Sequence, residues 1–329
     1  MKTFAFRHAL SVPDAIDEAA AGARYFAGGT NLLDLMKTGV EAPDALIDIR
    51  RIGLDTITAT PDGGVRIGAG ATNSAVANHR LIRTRYPVLS QAILSGATTQ
   101  IRNMATAGGN LVQRTRCPYF MDPAFAQCNK RTPGSGCAAA DGFNREHALF
   151  GASAHCVAVH PSDMAVALAI LDAAVRLRGP AGERSVALAE FFALPGDRPD
   201  RDNTMAPGEL ITAIELPPTP YADASWYLKV RDRHSYAFAL VSVAAGVQLN
   251  DGVIASAAIA LGGVAARPWR VPAAEAALHG QRPDTAVFRR AAELLMAGAE
   301  PLTQNAFKVD LGKHSVVRAL QRACGVNDE

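Results

Sequence analysis

Residues 113 to 155 constrain the fold more than any other stretch, because they show almost no hydrophobic periodicity. The stretch is rich in proline and glycine and contains three of the five cysteines, while regular strand and helix patterns precede and follow it. A loop of this length buries too little apolar surface to order itself inside a compact domain. We therefore expect an organising centre within it.

Four cysteines, Cys117, Cys128, Cys137 and Cys156, lie within forty residues, separated by ten, eight and eighteen residues. Four thiolates in a folded loop can ligate zinc or an iron–sulfur cluster. The spacing is looser than that of paired Cys-x-x-Cys ligands. From the cysteines alone zinc is the default interpretation, with buried free thiols or disulfides as a further alternative. The fifth cysteine, Cys324, stands alone in a predicted terminal helix and is interpreted as structural.

The composition is that of an ordinary globular protein, because 49% of the 329 residues are hydrophobic and 19% are charged. This length predicts two or three domains. The formal net charge of +2 comes without long basic tracts, which argues against a nucleic-acid partner. No apolar run reaches about 18 residues, so we predict no membrane span. The first residues lack a signal-peptide pattern, and we expect that the chain does not export itself.

Strand and helix signals divide the chain into three parts. Short strands and helices alternate over residues 1–53, and a second mixed pattern covers residues 54–217 around the inserted stretch, residues 113–156. After a proline-rich linker, residues 222–329 carry three strand patterns, a hairpin turn and two helical patterns. We therefore predict an α+β protein with two N-terminal lobes and a C-terminal domain of antiparallel strands and helices.

Two glycine turns connect predicted strands to predicted helices. They lie in Phe26-Ala27-Gly28-Gly29-Thr30-Asn31-Leu32 and in Ala105-Thr106-Ala107-Gly108-Gly109-Asn110. Glycine lets the backbone approach an anion, and successive N–H groups at a helix start can bind a pyrophosphate. Neither turn has the Gly-x-Gly-x-x-Gly pattern, so a Rossmann site is not predicted. Each turn alone is more often a plain connection, but the pair would suit one extended dinucleotide between two lobes.

A row of cations follows the linker. Lys229, Arg231 and Arg233 fall on one face of a predicted strand, because side chains alternate along a strand. Such a row can stabilise a developing anion, for example a reduced flavin. From the pattern alone, a solvated strand face balanced by Asp232 is the more common arrangement.

The order and spacing of four segments resemble the flavin subunits of the xanthine dehydrogenase, or molybdenum hydroxylase, family over nearly the whole chain. The segments are the two glycine turns, His160-Pro161-Ser162-Asp163 and Tyr227-Leu228-Lys229-Val230-Arg231-Asp232-Arg233. Around the cysteines, Gln113-Arg114-Thr115-Arg116-Cys117-Pro118-Tyr119-Phe120 and Cys128-Asn129-Lys130-Arg131-Thr132-Pro133-Gly134-Ser135-Gly136-Cys137 are similar to the insertion of FAD subunits from bacterial periplasmic aldehyde oxidoreductases. A related hydroxybenzoyl-CoA reductase subunit also carries an insertion with a cluster.

This resemblance implies a two-lobed FAD-binding domain of the vanillyl-alcohol-oxidase type over 1–53 and 54–217, and a C-terminal domain of the CO dehydrogenase flavoprotein type over 222–329. It implies noncovalent FAD and, in place of zinc, a [4Fe–4S] cluster on Cys117, Cys128, Cys137 and Cys156. By position, the pyrophosphate would be held by Phe26, Ala27, Gly28, Gly29, Thr30, Asn31 and Leu32. The rest of the cofactor would be bound by Thr106, Gly109 and Asn110, and its site would be lined by Asp163 and Ile211. Lys229 would approach the flavin ring as the catalytic cation.

The resemblance also implies partners. A large subunit would carry the molybdenum cofactor and a small subunit two [2Fe–2S] clusters, so that a heterotrimer oxidises an aldehyde and reduces an external acceptor through the FAD of this chain. We expect the periplasm as its location, reached by co-export with a signal-bearing partner; the cytoplasm is the alternative. Other molybdenum hydroxylases, acting on purines, heteroaromatic rings or acyl-CoA, remain alternatives, as does a zinc-stabilised binding protein without flavin.

Overall fold

The computed structural model describes residues 1–326, and its first lobe is a parallel three-stranded sheet with two helices. This lobe contains β1 (Ala5–His8), α1 (Val12–Ala20), β2 (Arg24–Phe26), α2 (Leu32–Thr38) and β3 (Ala45–Asp48). β3 pairs in parallel with both β1 and β2, and α1 and α2 provide the crossovers that parallel neighbours need. α1 begins where Ser11 Oγ accepts a hydrogen bond from the backbone N–H of Asp14.

The second lobe is a five-stranded antiparallel sheet, in the order β4-β5-β8-β6-β7, with helices packed against it. It contains β4 (Ile57–Ala59), β5 (Val65–Gly68), α3 (Asn73–Asn78), α4 (Arg80–Arg85), α5 (Pro87–Ser95), α6 (Thr99–Met104), α7 (Ala107–Leu111), α8 (Pro118–Met121), α9 (Ala138–Asp141), α10 (Asp163–Ile170), β6 (Ala174–Gly179), β7 (Gly182–Ala187), α11 (Leu188–Phe191) and β8 (Leu210–Leu216). α10 is apolar on almost every side because it packs against both α5 and the C-terminal sheet.

The C-terminal domain is a three-stranded antiparallel sheet with helices on one face. It contains β9 (Ser225–Val230), β10 (Val241–Asn250), β11 (Val253–Gly262), α12 (Pro272–Ala276), α13 (Thr285–Met296) and α14 (Phe307–Cys324). Side chains alternate along β10: Val243 and Ala245 pack with α13 and α14, whereas Ala244 packs into the core of the second lobe. The other face of the sheet therefore joins the C-terminal domain to the second lobe.

Three details differ from the sequence-based expectations. β9 ends at Val230, so the predicted cationic row is wrong for Arg233, whose guanidinium turns back to the carbonyl oxygen of Tyr236. The helical pattern predicts the last helix over residues 313 to 323, but α14 begins at Phe307. β7 was not predicted, because exposed polar residues fill most of it. Within residues 1–326, no helix is long and apolar enough to cross a membrane.

Candidate functional site

A cleft lies between the first and second lobes, and both glycine turns form its walls. We call it the interlobe cleft. Among the predicted binding residues, Ala27, Gly28, Gly29, Thr30, Asn31 and Leu32 line it from the first lobe, and Thr106, Gly109 and Ile211 line it from the second. The structure therefore brings together nine of the predicted residues, although the residues of one wall lie more than seventy positions from those of the other in the sequence.

The two glycine turns meet because the backbone of the first packs directly on the chain before the second. A Cβ atom added to Gly28 would lie 1.9 Å from the carbonyl oxygen of Met104. Gly29 has a φ of +71°, in the left-handed region that favours glycine. Larger residues at either position would separate the lobes or distort the turn, so this edge of the cleft depends on glycine.

The second turn is fixed by short hydrogen bonds. Thr106 Oγ1 accepts the backbone N–H of Gly109 at 3.2 Å and caps α7. Gly108 donates its backbone N–H to the carbonyl oxygen of Ala69 at 2.8 Å, and a Cβ on Gly108 would meet the Ala69 Cβ at 2.9 Å. The turn is therefore held against the end of β5 without any ligand.

Asn31 supplies a polar group for a ligand. Its Oδ1 accepts the backbone N–H of Arg114 at 2.8 Å, which fixes the amide plane. Its Nδ2 is buried and has no hydrogen-bond partner among the described residues, although Asn31 lines the interlobe cleft. A buried donor without an acceptor is costly, and an oxygen of a bound pyrophosphate would satisfy it. The residues present thus fit the phosphate part of a dinucleotide.

A second cavity lies between the second lobe and the C-terminal domain. We call it the inner cavity. Asp163, at the start of α10, lines it and accepts hydrogen bonds from Lys229 Nζ and the Tyr227 hydroxyl, each at 2.7 Å. The Lys229 side chain is 4% exposed and also reaches the carbonyl oxygen of Ser95. The predicted catalytic lysine lines neither the inner cavity nor the interlobe cleft, and its ion pair with Asp163 is its link to the inner cavity.

Asn110 and Phe26 have supporting positions in the structure. Asn110 Oδ1 accepts hydrogen bonds from the Ser162 hydroxyl and from Gln113 Nε2, so it ties the second glycine turn to the segment that begins α10. The Phe26 ring lies under Gly29 and the Arg50 guanidinium covers it at 5.4 Å. Both residues shape the interlobe cleft from behind its walls.

All four cysteines of the inserted segment line a third, smaller cavity. We call it the thiol cavity. None of the four is in a disulfide. Cys128 and Cys137 face each other across an isolated antiparallel bridge, so residues distant in sequence are set around one space. Irregular chain thus converges on the four cysteines.

Side chains supplement the backbone hydrogen bonds of this short bridge in holding the loop that carries Cys128 and Cys137. The Ser135 hydroxyl accepts the Cys128 backbone N–H at 3.0 Å, and Asn129 Oδ1 accepts the Gly136 N–H at 2.9 Å. Asn129 Nδ2 donates to the carbonyl oxygen of His155 at 3.0 Å, which links this loop to the chain before Cys156. These polar residues of the inserted segment therefore make structural hydrogen bonds, which hydrophobic periodicity could not predict.

Burial keeps two of the thiols protonated until a cation displaces the proton. Desolvation raises the pKa of Cys117 to about 12. Burial also raises the pKa of Cys156, an effect that the nearby charge of Lys130 partly offsets. Because metal ligands must be thiolates, binding of a metal group would release these protons and stabilise the fold of the segment.

Two known protein families match this chain. Residues 2–219 match the family described as FAD binding domain in molybdopterin dehydrogenase, and residues 226–323 match the CO dehydrogenase flavoprotein C-terminal domain. The chain belongs to the FAD-binding subunits of the molybdenum hydroxylase family. The family assignment from the sequence and the α+β fold class are thereby confirmed.

Curated relatives and solved structures agree with the assignment of an FAD-binding subunit. The chain is 50% identical over 326 residues, 98% of its length and 99% of the relative's, to the aldehyde oxidoreductase FAD-binding subunit PaoB of Escherichia coli (strain K12). It is 28% identical to the carbon monoxide dehydrogenase medium chain of Afipia carboxidovorans, over 92% and 87% of the two chains. Among structures, reconstituted CO dehydrogenase from Oligotropha carboxidovorans has a TM-score of 0.77 at 26% identity, covering 99% of each chain.

Arg116 of this FAD-binding subunit was missed by the sequence reading. It lines the inner cavity, its guanidinium stacks over the Phe238 ring at 5.0 Å, and its Nε is buried with no partner among the described residues. Burial lowers its pKa, which remains far above neutral because guanidinium groups deprotonate only in strong base. The available signal was its position next to Cys117, at the start of the inserted segment.

Proposed function

We propose that this subunit carries noncovalent FAD together with a [4Fe–4S] cluster on Cys117, Cys128, Cys137 and Cys156, and that it serves a molybdenum-dependent aldehyde oxidoreductase. The observation that carries the proposal is the thiol cavity, in which four free cysteines surround one space. The 50% identity to a chain named as an aldehyde oxidoreductase subunit supports the substrate class.

The thiol cavity favours a cluster over a single zinc ion. Zinc draws its four ligands to one point at about 2.3 Å from each sulfur. Within residues 1–326, no group of three or more His, Cys, Asp and Glu side chains converges closely enough to hold one metal ion. A cluster would instead need four thiols set around a wider space. The four cysteines line one pocket, which supports this choice.

The interlobe cleft would hold the FAD without a covalent bond. Gly28 and Gly29 admit the pyrophosphate close to the backbone, and Asn31 Nδ2 donates a hydrogen bond to it. Asp163 and Lys229 set a buried ion pair beside the inner cavity. When bound, FAD supplies the chemistry of accepting electrons from the partner subunits and passing them to an external acceptor.

We further infer the assembly. The chain would join a large subunit with the molybdenum cofactor and a small subunit with two [2Fe–2S] clusters in a heterotrimer, and a signal on the small partner would carry the folded complex to the periplasm. Cell fractionation tests the location: deletion of the partner's signal should retain this chain in the cytoplasm. Its continued arrival in the periplasm, or a cytoplasmic location in the intact strain, would reject co-export.

The functional test uses the purified complex. We expect flavin absorbance with a broad iron–sulfur shoulder, and bleaching of the flavin band when an aldehyde is added without acceptor. A purine, a nitrogen heterocycle and an acyl-CoA serve as competing substrates, because relatives at 26% identity include xanthine and nicotinate dehydrogenase subunits. Bleaching by one of these and not by aldehydes would assign the subunit to another molybdenum hydroxylase. A colourless protein would refute the flavin and cluster proposals together.

A further inference from the structure

His147 contacts one of the four cysteines, although it belongs to no motif of the sequence. Its Nε2 lies 3.1 Å from Cys117 Sγ, and the residue is 2% exposed. Its other ring nitrogen, Nδ1, is buried and has no hydrogen-bond partner in the described part of the chain. His147 lines the inner cavity, and Cys117 lines both the inner cavity and the thiol cavity. The imidazole therefore lies at the wall that the two cavities share.

The chemistry of the two groups fixes the direction of the hydrogen bond. An iron-bound thiolate has no proton, so Cys117 Sγ can only accept. An imidazole carries at least one N–H whether it is neutral or charged. Since Nδ1 has no acceptor in the described part of the chain, a proton on Nε2, which faces the sulfur, is the arrangement that makes a hydrogen bond.

Two buried side chains of the C-terminal domain hold His147 in place. Lys308 Nζ donates to the carbonyl oxygen of His147 at 2.8 Å and to that of Gly263 at 2.6 Å. Asn305 Nδ2 donates to the same His147 carbonyl at 3.1 Å. Lys308 and Asn305 are both fully buried. The backbone of His147 is therefore held by contacts that do not depend on the cysteines.

We propose that His147 is a positioning residue that donates a hydrogen bond from Nε2 to the Cys117 thiolate and so raises the reduction potential of the cluster. The inference rests on the proposed [4Fe–4S] assignment. One-electron reduction places additional negative charge on the cluster and its sulfurs, and a donor to a sulfur stabilises the reduced form more than the oxidised form. The proton stays on Nε2, and no bond forms or breaks.

The test compares cluster potentials in the full chain purified with the subunits that accompany it. Dithionite is the reductant, and electron paramagnetic resonance follows the reduced [4Fe–4S] signal. We expect a lower midpoint potential in His147→Leu than in the wild type, and recovery towards the wild-type value in His147→Gln, which keeps an N–H donor. His155→Leu is the matched control, because His155 also lines the thiol cavity but its ring pairs with Asp197. Its potential should be unchanged.

A measurement on the wild type covers the case in which His147→Leu fails to assemble. With isotopically labelled histidine, the reduced cluster should show hyperfine coupling to one histidine nitrogen, and the coupling should disappear in His147→Gln. A cluster at full occupancy with an unchanged potential in His147→Leu, or with no histidine coupling in the wild type, overturns the inference alone. A wild type without any [4Fe–4S] signal overturns the proposed function as well.

Discussion

The interlobe cleft and the inserted segment are two binding regions built in opposite ways. The cleft is made of backbone: glycine turns at the ends of regular strands and helices, packed so closely that a Cβ on Gly28 would overlap the Met104 carbonyl. The inserted segment has only two one-turn helices, α8 and α9, and side chains such as Asn129 and Ser135 supplement one short backbone bridge. The first region is formed by the packing of regular elements, whereas we propose that the second depends on a metal group held by its cysteines.

The inserted segment nevertheless has a second anchor away from the cysteines. Asn144 Oδ1 accepts the Gln304 backbone N–H at 3.0 Å, and Leu149 donates its N–H to the Val264 carbonyl at 2.8 Å. With Lys308, these contacts tie the second half of the segment to the C-terminal domain. Loss of a metal group should therefore loosen the half that contains Cys128 and Cys137 and spare the half near Leu149.

The largest effect is expected from Gly28→Ala, because the added Cβ would lie 1.9 Å from a backbone oxygen that cannot move freely. We expect loss of bound FAD and a fall in the free energy of unfolding of about 3 kcal/mol or more. Flavin content and urea unfolding measure both. Gly39→Ala is the control: Gly39 has a φ of +79° but no atom within 4 Å of an added Cβ. It should cost only about 1 kcal/mol and retain FAD.

If Gly28→Ala keeps its FAD as Gly39→Ala does, FAD binding does not depend on the close approach of the backbone at Gly28. The contrast between a cleft made of backbone and a segment held by side chains and a metal group then fails.

Cys128→Ser and Cys137→Ser should each abolish the cluster and leave FAD bound, since the interlobe cleft is formed by other residues. Without the metal group, the chain around Cys128 loses its organising centre and should be cleaved faster by proteases. Iron content, flavin content and limited proteolysis with mapped cleavage sites check this. Cys324→Ser, at the end of α14, is the control and should change none of them. An unchanged iron count in both serine variants contradicts the ligand assignment.

Lys229→Ala should have an intermediate effect. It leaves the Asp163 carboxylate without its buried cation, which we expect to lower the free energy of unfolding by about 3 kcal/mol while most FAD stays bound. Loss of a cation beside the inner cavity should also lower the flavin potential and slow turnover. Asp163→Asn in the same chain should restore most of the stability, because it removes the unpaired charge. Reductive titration measures the flavin potential, and unfolding curves measure the free energy of unfolding. An unaltered flavin potential means that Lys229 has only a structural role.

The smallest effect concerns pH. Burial lowers the pKa of His160 from its ordinary value of 6.5 to about 4, and its Nε2 lies 3.1 Å from the Leu111 carbonyl oxygen. The unfolded chain therefore binds this proton first as pH falls, so stability is full above pH 6.5 and is lost progressively towards pH 4. His160→Gln keeps a donor but cannot titrate, and it should flatten this part of the pH profile of stability. Identical profiles would show that another group is responsible.

The difference between the two regions also explains what the sequence could predict. The glycine turns, the strand hairpins and Asp163 at the start of α10 follow local rules, so periodicity and turn chemistry located them. The contacts of His147, Lys308 and Arg116 join positions separated by irregular chain, and no local rule links them. Arg233 was misplaced because period two holds only while the strand lasts, and β9 ends at Val230. The domain limits and individual ligand roles remain predictions.

Native mass spectrometry of the purified wild-type chain tests the central claim most directly, because it weighs both ligands on one polypeptide. The account predicts a single species whose added mass equals one FAD plus one [4Fe–4S] cluster, with the cluster mass missing in Cys128→Ser and the FAD mass kept. A wild-type chain that carries FAD with one zinc ion, or FAD with no metal at all, would contradict it.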